Sequence, residues 1–347
     1  MLREALSKQE VIDVIERKGC GKVPLVFHKW WGNGTAEKYG DALKSMEQNF
    51  PDDILKTGCK VPGFATSLTG NPNYRYGFKD YPKERTGVGH VVQLVDDWET
   101  EAEAFLNNFP RADEPGIFDD VYAVLEQEKK SGQDRYKLAL HWFSFFELLS
   151  FFRSKENLMM DFYDYMDILK EVCQKQLELL KAWIDRYAAL GFNGFFVADD
   201  FGHQTGPMMS PDIWRELFYP VYKELCDYLH SKNMHLFLHT CGNVTLLMDD
   251  IIAAGVDVLH PIQKGCMDEA DIARCYGDKI TFMVGFDVQH ILPEGTPDDV
   301  SKEVAHLYAT FHKPEGGMLF AAGNGIMPDC SLENIERFLT EITNLSK

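Results

Sequence analysis

The residues best equipped for chemistry lie in one short run, HTCGN at 239–243. In an extended chain residues i and i+2 point to the same side, so His239 and Cys241 can chelate one ion together. An imidazole beside a thiolate suits zinc, and a catalytic zinc takes three protein ligands and keeps one position open. The plain alternative is a buried His and Cys that only pack. A second run, VADDFG at 197–202, sets Asp199 next to Asp200. Paired carboxylates there can ligate a metal, act as general acid or base, or cap the next helix. Capping accounts for one Asp, not for two, and crowding would raise the pKa of one of them. His203 and Gln204 follow at once, so this loop is polar and is expected to face a pocket.

A third run, HKWWGNG at 28–34, puts Trp30 and Trp31 beside His28. Together they can wall a flat substrate, although neighbouring tryptophans in a strand point opposite ways and one of them then belongs to the core. Phe143, Phe145 and Phe146 with Met208 and Met209 extend such an apolar lining, and Glu147 follows the aromatic run directly.

These groups need elements to hold them. Strand-like apolar runs occur at 194–198 (GFFVA), 234–239 (MHLFLH), 256–260 (VDVLH), 280–285 (ITFMVG) and 318–322 (MLFAA), with earlier ones at 23–28 and 136–140. Helical patterns separate them at 211–232, 244–254, 268–276 and 297–311, and a long one spans 155–187. The helix at 211 opens on Ser210-Pro211-Asp212, an N-cap followed by Pro in the first turn. Apolar strands alternating with helices imply a parallel sheet covered on both faces, and helix-only spacers favour a closed (β/α)₈ barrel in the α/β class. One domain over 1–347 is the economical organisation, with an N-terminal helical extension over about 1–20 and an irregular insertion, turns and a hairpin, over about 57–97. In such a barrel the site lies at the C-terminal ends of the strands. The polar residues there are His28, His141, Asp199, Asp200, His239, Cys241, His260, Asp287, His290 and Asn324.

Composition narrows the classes. The chain has 347 residues, 45% of them hydrophobic, and a net charge of −19. That charge argues against nucleic-acid backbones and anionic membrane surfaces and allows docking to a basic patch on a partner protein. No apolar run reaches the roughly 18 residues of a membrane helix. The charged, amphipathic N-terminus is no signal peptide, so a cytoplasmic protein is expected. The eight cysteines show no framework spacing and read as free thiols with a metal ligand among them. There is no P-loop, Rossmann glycine motif, GxSxG elbow or HExxH, and the GxG at 323–325 is a weak anion signal.

Taken together, FPDDIL (50–55), SFFELLSFFRSKENLMMD (144–161), GFNGFFVADDFG (191–202), MSPDIWRELFYPVYKEL (209–225), FLHTCGNV (237–244), VLHPIQ (258–263), VGFDVQHILPEGTPDDV (284–300) and GNGIMPDCSLENI (323–335) give the chain its likeness. It resembles the uroporphyrinogen decarboxylase superfamily and, within it, the corrinoid-dependent methyltransferase branch. The resemblance implies a (β/α)₈ barrel, with zinc held by His239 and Cys241 and a methyl group moved to or from a corrinoid. True decarboxylases carry an Arg-rich N-terminal segment for substrate carboxylates, whereas here Lys29 is the only basic residue in VPLVFHKWWGNG. Thiol-methylating members place a third ligand, Cys, in the turn after the last strand. Asn324 stands there in this chain, leaving Cys330, six residues on, or Asp199 or Asp200 to complete the site.

The expected activity is therefore transfer of a methyl group from a methoxylated, aromatic donor to a separate corrinoid protein, with zinc and the partner's corrinoid as cofactors. Asp199, Asp200 or His203 would give the leaving oxygen its proton. His28, Trp30, Trp31, Phe145, Glu147, Gln204, Met208, His260, Gln263, Asp287 and Asn324 would contact substrate. A lyase of the decarboxylase type, a methylcorrinoid:thiol methyltransferase and a non-catalytic subunit of a corrinoid protein are the alternatives. The oligomeric state is left open, a homodimer included.

Overall fold

Eight short strands alternate with helices along the chain: β1 (Leu25–Val26), β2 (Ile54–Thr57), β3 (Tyr136–Leu140), β4 (Gly194–Ala198), β5 (His235–His239), β6 (Val258–His260), β7 (Thr281–Phe286) and β8 (Met318–Ala322). They form one parallel sheet in the order β1-β8-β7-β6-β5-β4-β3-β2, the (β/α)₈ barrel anticipated from the alternation. The computed structural model describes residues 3–26, 31–81 and 93–345. Every residue of β4, β7 and β8 is buried, as strands covered by helices outside and by each other's side chains inside must be. The interior leaves β4 no room at its start. A Cβ on Gly194 would stand 2.5 Å from Tyr136 Oη and 2.9 Å from Leu138 Cδ1.

Among the described residues, Asp53 bridges the seam between β1 and β2. Asp53 N–H donates to the Leu25 carbonyl (3.0 Å), and the Asp53 carboxylate accepts from Leu25 N–H (2.6 Å), Leu6 N–H (2.7 Å) and the Arg3 guanidinium (2.8 Å). All of this is buried, so an anion that would be costly alone is matched by a cation and two amides.

Four local readings change. β2 was not anticipated as a strand. Its apolar pattern is interrupted by Lys56, which is buried and paired with Asp52 at 2.5 Å, so the charge that hides the strand is neutralised inside it. The helical pattern at 155–187 is two helices, Lys155–Asp164 and Met166–Ala189, broken at Tyr165. The first is pinned by Asp161 to Arg153 (3.0 Å) and to Trp98 Nε1 (2.9 Å), while the second lays Leu169, Val172, Leu180 and Trp183 in the core. The run at 23–28 forms a strand only at Leu25–Val26, and 27–30 lie outside the described residues. Between β2 and the helix Trp98–Asn107, the ladder contact among the described residues is a parallel bridge, Gly63 to Arg75, not a hairpin. The Ser210 N-cap is present, its hydroxyl accepting from Ile213 N–H at 3.3 Å. A π-turn at Trp214–Phe218 follows and leads into the helix Tyr219–Ser231. Among the described residues no helix is long and apolar enough to cross a membrane.

Candidate metal centre

β5 and β6 run in register so that His239 and His260, the last residue of each, are direct partners. His260 Nε2 lies 2.9 Å from the carbonyl oxygen of Ala322 in β8. A carbonyl only accepts, so this nitrogen carries the hydrogen. Burial holds His260 well below the usual histidine range, which keeps the ring neutral and its Nδ1 bare. That Nδ1 faces His239 Nδ1 at 2.7 Å, so His239 must donate there. Its Nε2 lone pair is left pointing at Cys241 Sγ (3.4 Å) and Asp200 Oδ1 (3.6 Å). A histidine whose second nitrogen is fixed by an acceptor is the usual arrangement behind a metal ligand.

The loops after β4 and β5 touch backbone to backbone. A Cβ on Gly242, whose φ is +81°, would stand 2.3 Å from the Gly202 carbonyl carbon, and one on Gly202 would stand 2.6 Å from the Cys241 carbonyl oxygen. Asn243 N–H donates to the His203 carbonyl (2.7 Å) and Cys241 N–H to Asp200 Oδ1 (2.8 Å). Glycine at both positions is what lets Asp200 reach the HTC segment. The ligand atoms of Asp200, His239 and Cys241 all lie within 4.8 Å of one another. Around a tetrahedral ion with bonds of about 2.0–2.3 Å, neighbouring ligand atoms stand roughly 3.3–3.8 Å apart, which the 3.4 and 3.6 Å separations match. Burial, with the Asp200 carboxylate next to it, pushes the Cys241 thiol up to about 12. A carboxylate, a bare imidazole nitrogen and a thiol held together this closely form a donor set that a cation fits. The Asp200 side chain is 41% exposed, so the set is open on that side.

The other expected site residues fall into place around it. Asp199 is fully buried, and its oxygens accept from Phe145 N–H (3.0 Å), Glu147 N–H (2.9 Å) and Tyr222 Oη (2.6 Å). Burial pushes it up to about 7 against those donors. It caps the start of the helix Phe146–Arg153 and does not reach the opening, so of the two carboxylates one is the cap and the other the candidate ligand. Cys330 does not join the cluster; it is buried, with Sγ 3.8 Å from Asp329 Oδ1. Asn324 does approach, with Nδ2 3.7 Å from Cys241 Sγ. Gln263 Oε1 accepts from Gly242 N–H (2.7 Å) and lines a small hollow of about 50 Å³ with Cys241, Asp287 and Asn324. His203 is exposed and turned to Thr205 (3.4 Å); Gln204 is exposed. Phe145 packs on Tyr222 in the core, so it is no substrate wall. Trp31 donates from Nε1 to Glu47 (2.6 Å). Met208 lines a separate groove of about 440 Å³ with Met159, Tyr163 and Leu246. His28 and Trp30 lie outside the described residues. Glu147 is largely buried, with Oε1 3.4 Å from Lys155 Nζ; burial raises its pKa and the charge on Asp200 adds to the effect.

One feature was not read from the sequence. A cavity of about 640 Å³ opens at the C-terminal ends of β2 and β3, walled by Phe64, Tyr76, Trp142, Phe143, Phe151 and Trp183. Trp142 stands 5.5 Å, ring to ring, from Phe196, and Phe196 stands 6.1 Å from His239. The cavity and the metal centre are therefore two ring contacts apart. Only the SFFELLSFF run hinted at it; Phe64 and Tyr76 come from the segment read as an insertion.

The model of the uroporphyrinogen decarboxylase (URO-D) family matches residues 107–345. Among solved structures, a methyltransferase from Methanosarcina mazei superposes with a TM-score of 0.61 at 17% identity, covering 98% of this chain and 99% of that one. D-psicose 3-epimerase gives 0.41 at 10% identity over 91% and 92% of the two chains. A 3-keto-D-glucoside 4-epimerase from E. coli gives 0.41 at 10% over 71% and 94%. No curated protein matches the sequence.

Proposed function

The chain belongs to the uroporphyrinogen decarboxylase family, and from that premise we propose that it is a zinc-dependent methyltransferase moving a methyl group from a methoxylated aromatic donor to the corrinoid of a partner protein. The observation that carries this reading is the Asp200–His239–Cys241 donor set, with the lone pair of His239 Nε2 presented to it through His260 and Ala322. A reaction that only removes carboxylates has no use for a nitrogen, a sulfur and an oxygen gathered at one point. The Methanosarcina mazei methyltransferase shares the fold across nearly both chains, so the barrel is compatible with the chemistry.

In the reaction the O–CH₃ bond breaks with its electron pair left on oxygen, the methyl group passes to the reduced corrinoid, and the oxygen takes one proton. Zinc held by Asp200, His239 and Cys241 would supply Lewis acidity at the leaving oxygen. His260 orients His239, and the Asp200 carboxylate keeps the HTC segment in place through Cys241 N–H. Burial raises the pKa of Glu147, Lys155 opposes it and the Asp200 charge adds to it; we assign the proton to this residue in place of Asp199 and His203. The net charge of −19 suits a partner that presents a basic face, and a cytoplasmic setting fits a partner-dependent reaction of this kind.

The test is zinc content and anaerobic methyl transfer from methoxyarenes to a corrinoid protein, for the wild type and for Cys241→Ala. Wild-type protein should carry about one zinc per chain and transfer methyl; Cys241→Ala should lose both and keep its fold. Methyl transfer by a wild type that is fully stripped of metal would refute the reading.

A further inference from the structure

Among the described residues, the wall of the β2/β3 cavity contains no Asp, Glu, Lys or Arg. Its polar groups are neutral. Burial pushes His141 down to about 3, so it carries no charge at neutral pH, and Gln176 accepts from Tyr76 Oη at 3.0 Å. Two buried ring nitrogens of that wall, His141 Nε2 and Trp183 Nε1, have no hydrogen-bond partner among the described residues. Buried polar groups are nearly always satisfied, so two orphans in one cavity wall ask for an oxygen that the described residues do not provide. The rings pack against one another as one aromatic wall of the cavity. Phe64 stacks on Phe151 at 4.3 Å, and Phe143 meets both edge-on at 5.7 and 4.9 Å. At the rim Leu68, Trp142 and Phe143 are 67%, 43% and 36% exposed, an apolar mouth of the kind that marks a binding site. The volume of about 640 Å³ falls within the roughly 300–1,000 Å³ of small-molecule sites.

We propose that this cavity binds a neutral aromatic ether and that this ligand is the methyl donor, a role that rests on the function proposed above. The wall selects on charge. A carboxylate would lose its water without meeting a cation, and an ammonium would lose its water without meeting an anion. Cation–π attraction needs ring faces turned to the ligand, and here the faces of Phe64 and Phe151 are turned to each other. A flat uncharged ring fits the cavity beside that wall, and a hydroxyl on it supplies the missing partner to His141 or Trp183 while the ether oxygen is left for the metal centre.

The experiment is calorimetric titration of the wild type and of Cys241→Ala with 2-methoxyphenol, 4-methoxybenzoate and tetramethylammonium, beside the methyl-transfer assay. We expect 2-methoxyphenol to bind both proteins alike and the two ions at least tenfold more weakly. Phe143→Ala and Leu68→Ala, both at the exposed rim, should each weaken 2-methoxyphenol, the former about tenfold as a ring contact is lost. Absence of saturable 2-methoxyphenol binding, tighter binding of either ion, or affinity untouched by both rim variants would overturn the proposal. Binding without methyl transfer would overturn the donor role together with the function it rests on. Methyl transfer from a donor whose affinity ignores the rim variants would overturn the cavity assignment alone.

Discussion

Replacing His260 with Phe tests whether the imidazole pair, and not His239 alone, makes the metal site. The ring is fully buried and its Nδ1 is the acceptor 2.7 Å from His239 Nδ1. Phe keeps the bulk and removes the acceptor. His239 then either keeps its Nδ1–H unsatisfied in a buried place, at a cost of about 1–3 kcal/mol, or moves the hydrogen to Nε2 and loses the lone pair that faces Cys241. Either route should weaken zinc by about 10- to 100-fold, the range found when partners behind metal ligands are removed, which is about 1.4–2.8 kcal/mol. The assay is competition for zinc against a chelator of known affinity, with the thiolate absorption of the cobalt-substituted protein as a check that Cys241 still ligates. His260→Gln, whose amide oxygen can accept, should recover part of the loss. A zinc affinity within twofold of wild type in His260→Phe would show that the Nδ1–Nδ1 contact does not choose the ligating nitrogen, and the tautomer assignment would fall.

Gly242→Ala should lower the stability of the metal-free protein by about 1–3 kcal/mol from its positive φ alone and weaken zinc as the Gly202 and Gly242 loops part; an unmoved urea midpoint would contradict the backbone contact. Asn324→Cys should tighten zinc and strengthen the cobalt–thiolate absorption, because Asn324 Nδ2 is 3.7 Å from Cys241 Sγ; an unchanged spectrum would place the turn out of reach. The contribution of His141 to stability should fall on mild acidification. His141 is held near 3 against an ordinary 6.5, so above pH 6.5 neither state is protonated and no pH dependence arises. Below it the unfolded chain binds a proton that the folded chain refuses, and stability drops by up to about 1.4 kcal/mol per unit until His141 itself titrates near pH 3. Between pH 7.5 and 5.5, His141→Phe should therefore lose roughly 1.4 kcal/mol less than wild type by urea unfolding; equal losses would mean that His141 is not held neutral by burial.

What the sequence made legible was set by how local the signal is. Strands β3 to β8 are mostly apolar runs, with Lys137 the one charge inside them, and could be placed to within two residues. β2 could not, because it is four residues long, holds Lys56 and follows Asp52 and Asp53, and the pairing of these charges with one another and with Arg3 shows only in the fold. The HTC segment and the Asp pair could both be read as ligand candidates, since i, i+2 geometry and strand-end position are local facts. Which aspartate caps and which ligates was not legible. That depends on Tyr222 and on the start of the helix Phe146–Arg153, which reach Asp199 from distant parts of the chain. His260 appeared as one more polar strand end; its pairing with His239 follows from sheet register, which periodicity does not give. The aromatic cavity is the extreme case. Its wall joins residues around 57–76 to 140–183, and no single stretch contains its pattern.

The metal centre draws on two layers of the barrel that differ in how freely they can change. Asp200 and Cys241 sit on loops whose contact depends on two glycines, and such loops can be altered without rebuilding the sheet. The nitrogen that faces them is fixed from below, through His260 to the carbonyl of Ala322 in β8, and β8 is hydrogen-bonded to β7 and β1 rather than to β6. That bond therefore crosses the barrel interior, and the state of His239 is tied to the closure of the barrel, which Asp53 completes at the β1–β2 seam. The apolar cavity lies on the other flank, over β2 and β3, and shares no wall residue with the donor set. A barrel arranged this way can change the ring it accepts by altering the 58–76 segment while leaving the donor set untouched. The selectivity variants Phe143→Ala and Leu68→Ala should accordingly alter ligand affinity without altering zinc affinity, and a zinc affinity that moved with them would mean that the two flanks are one site.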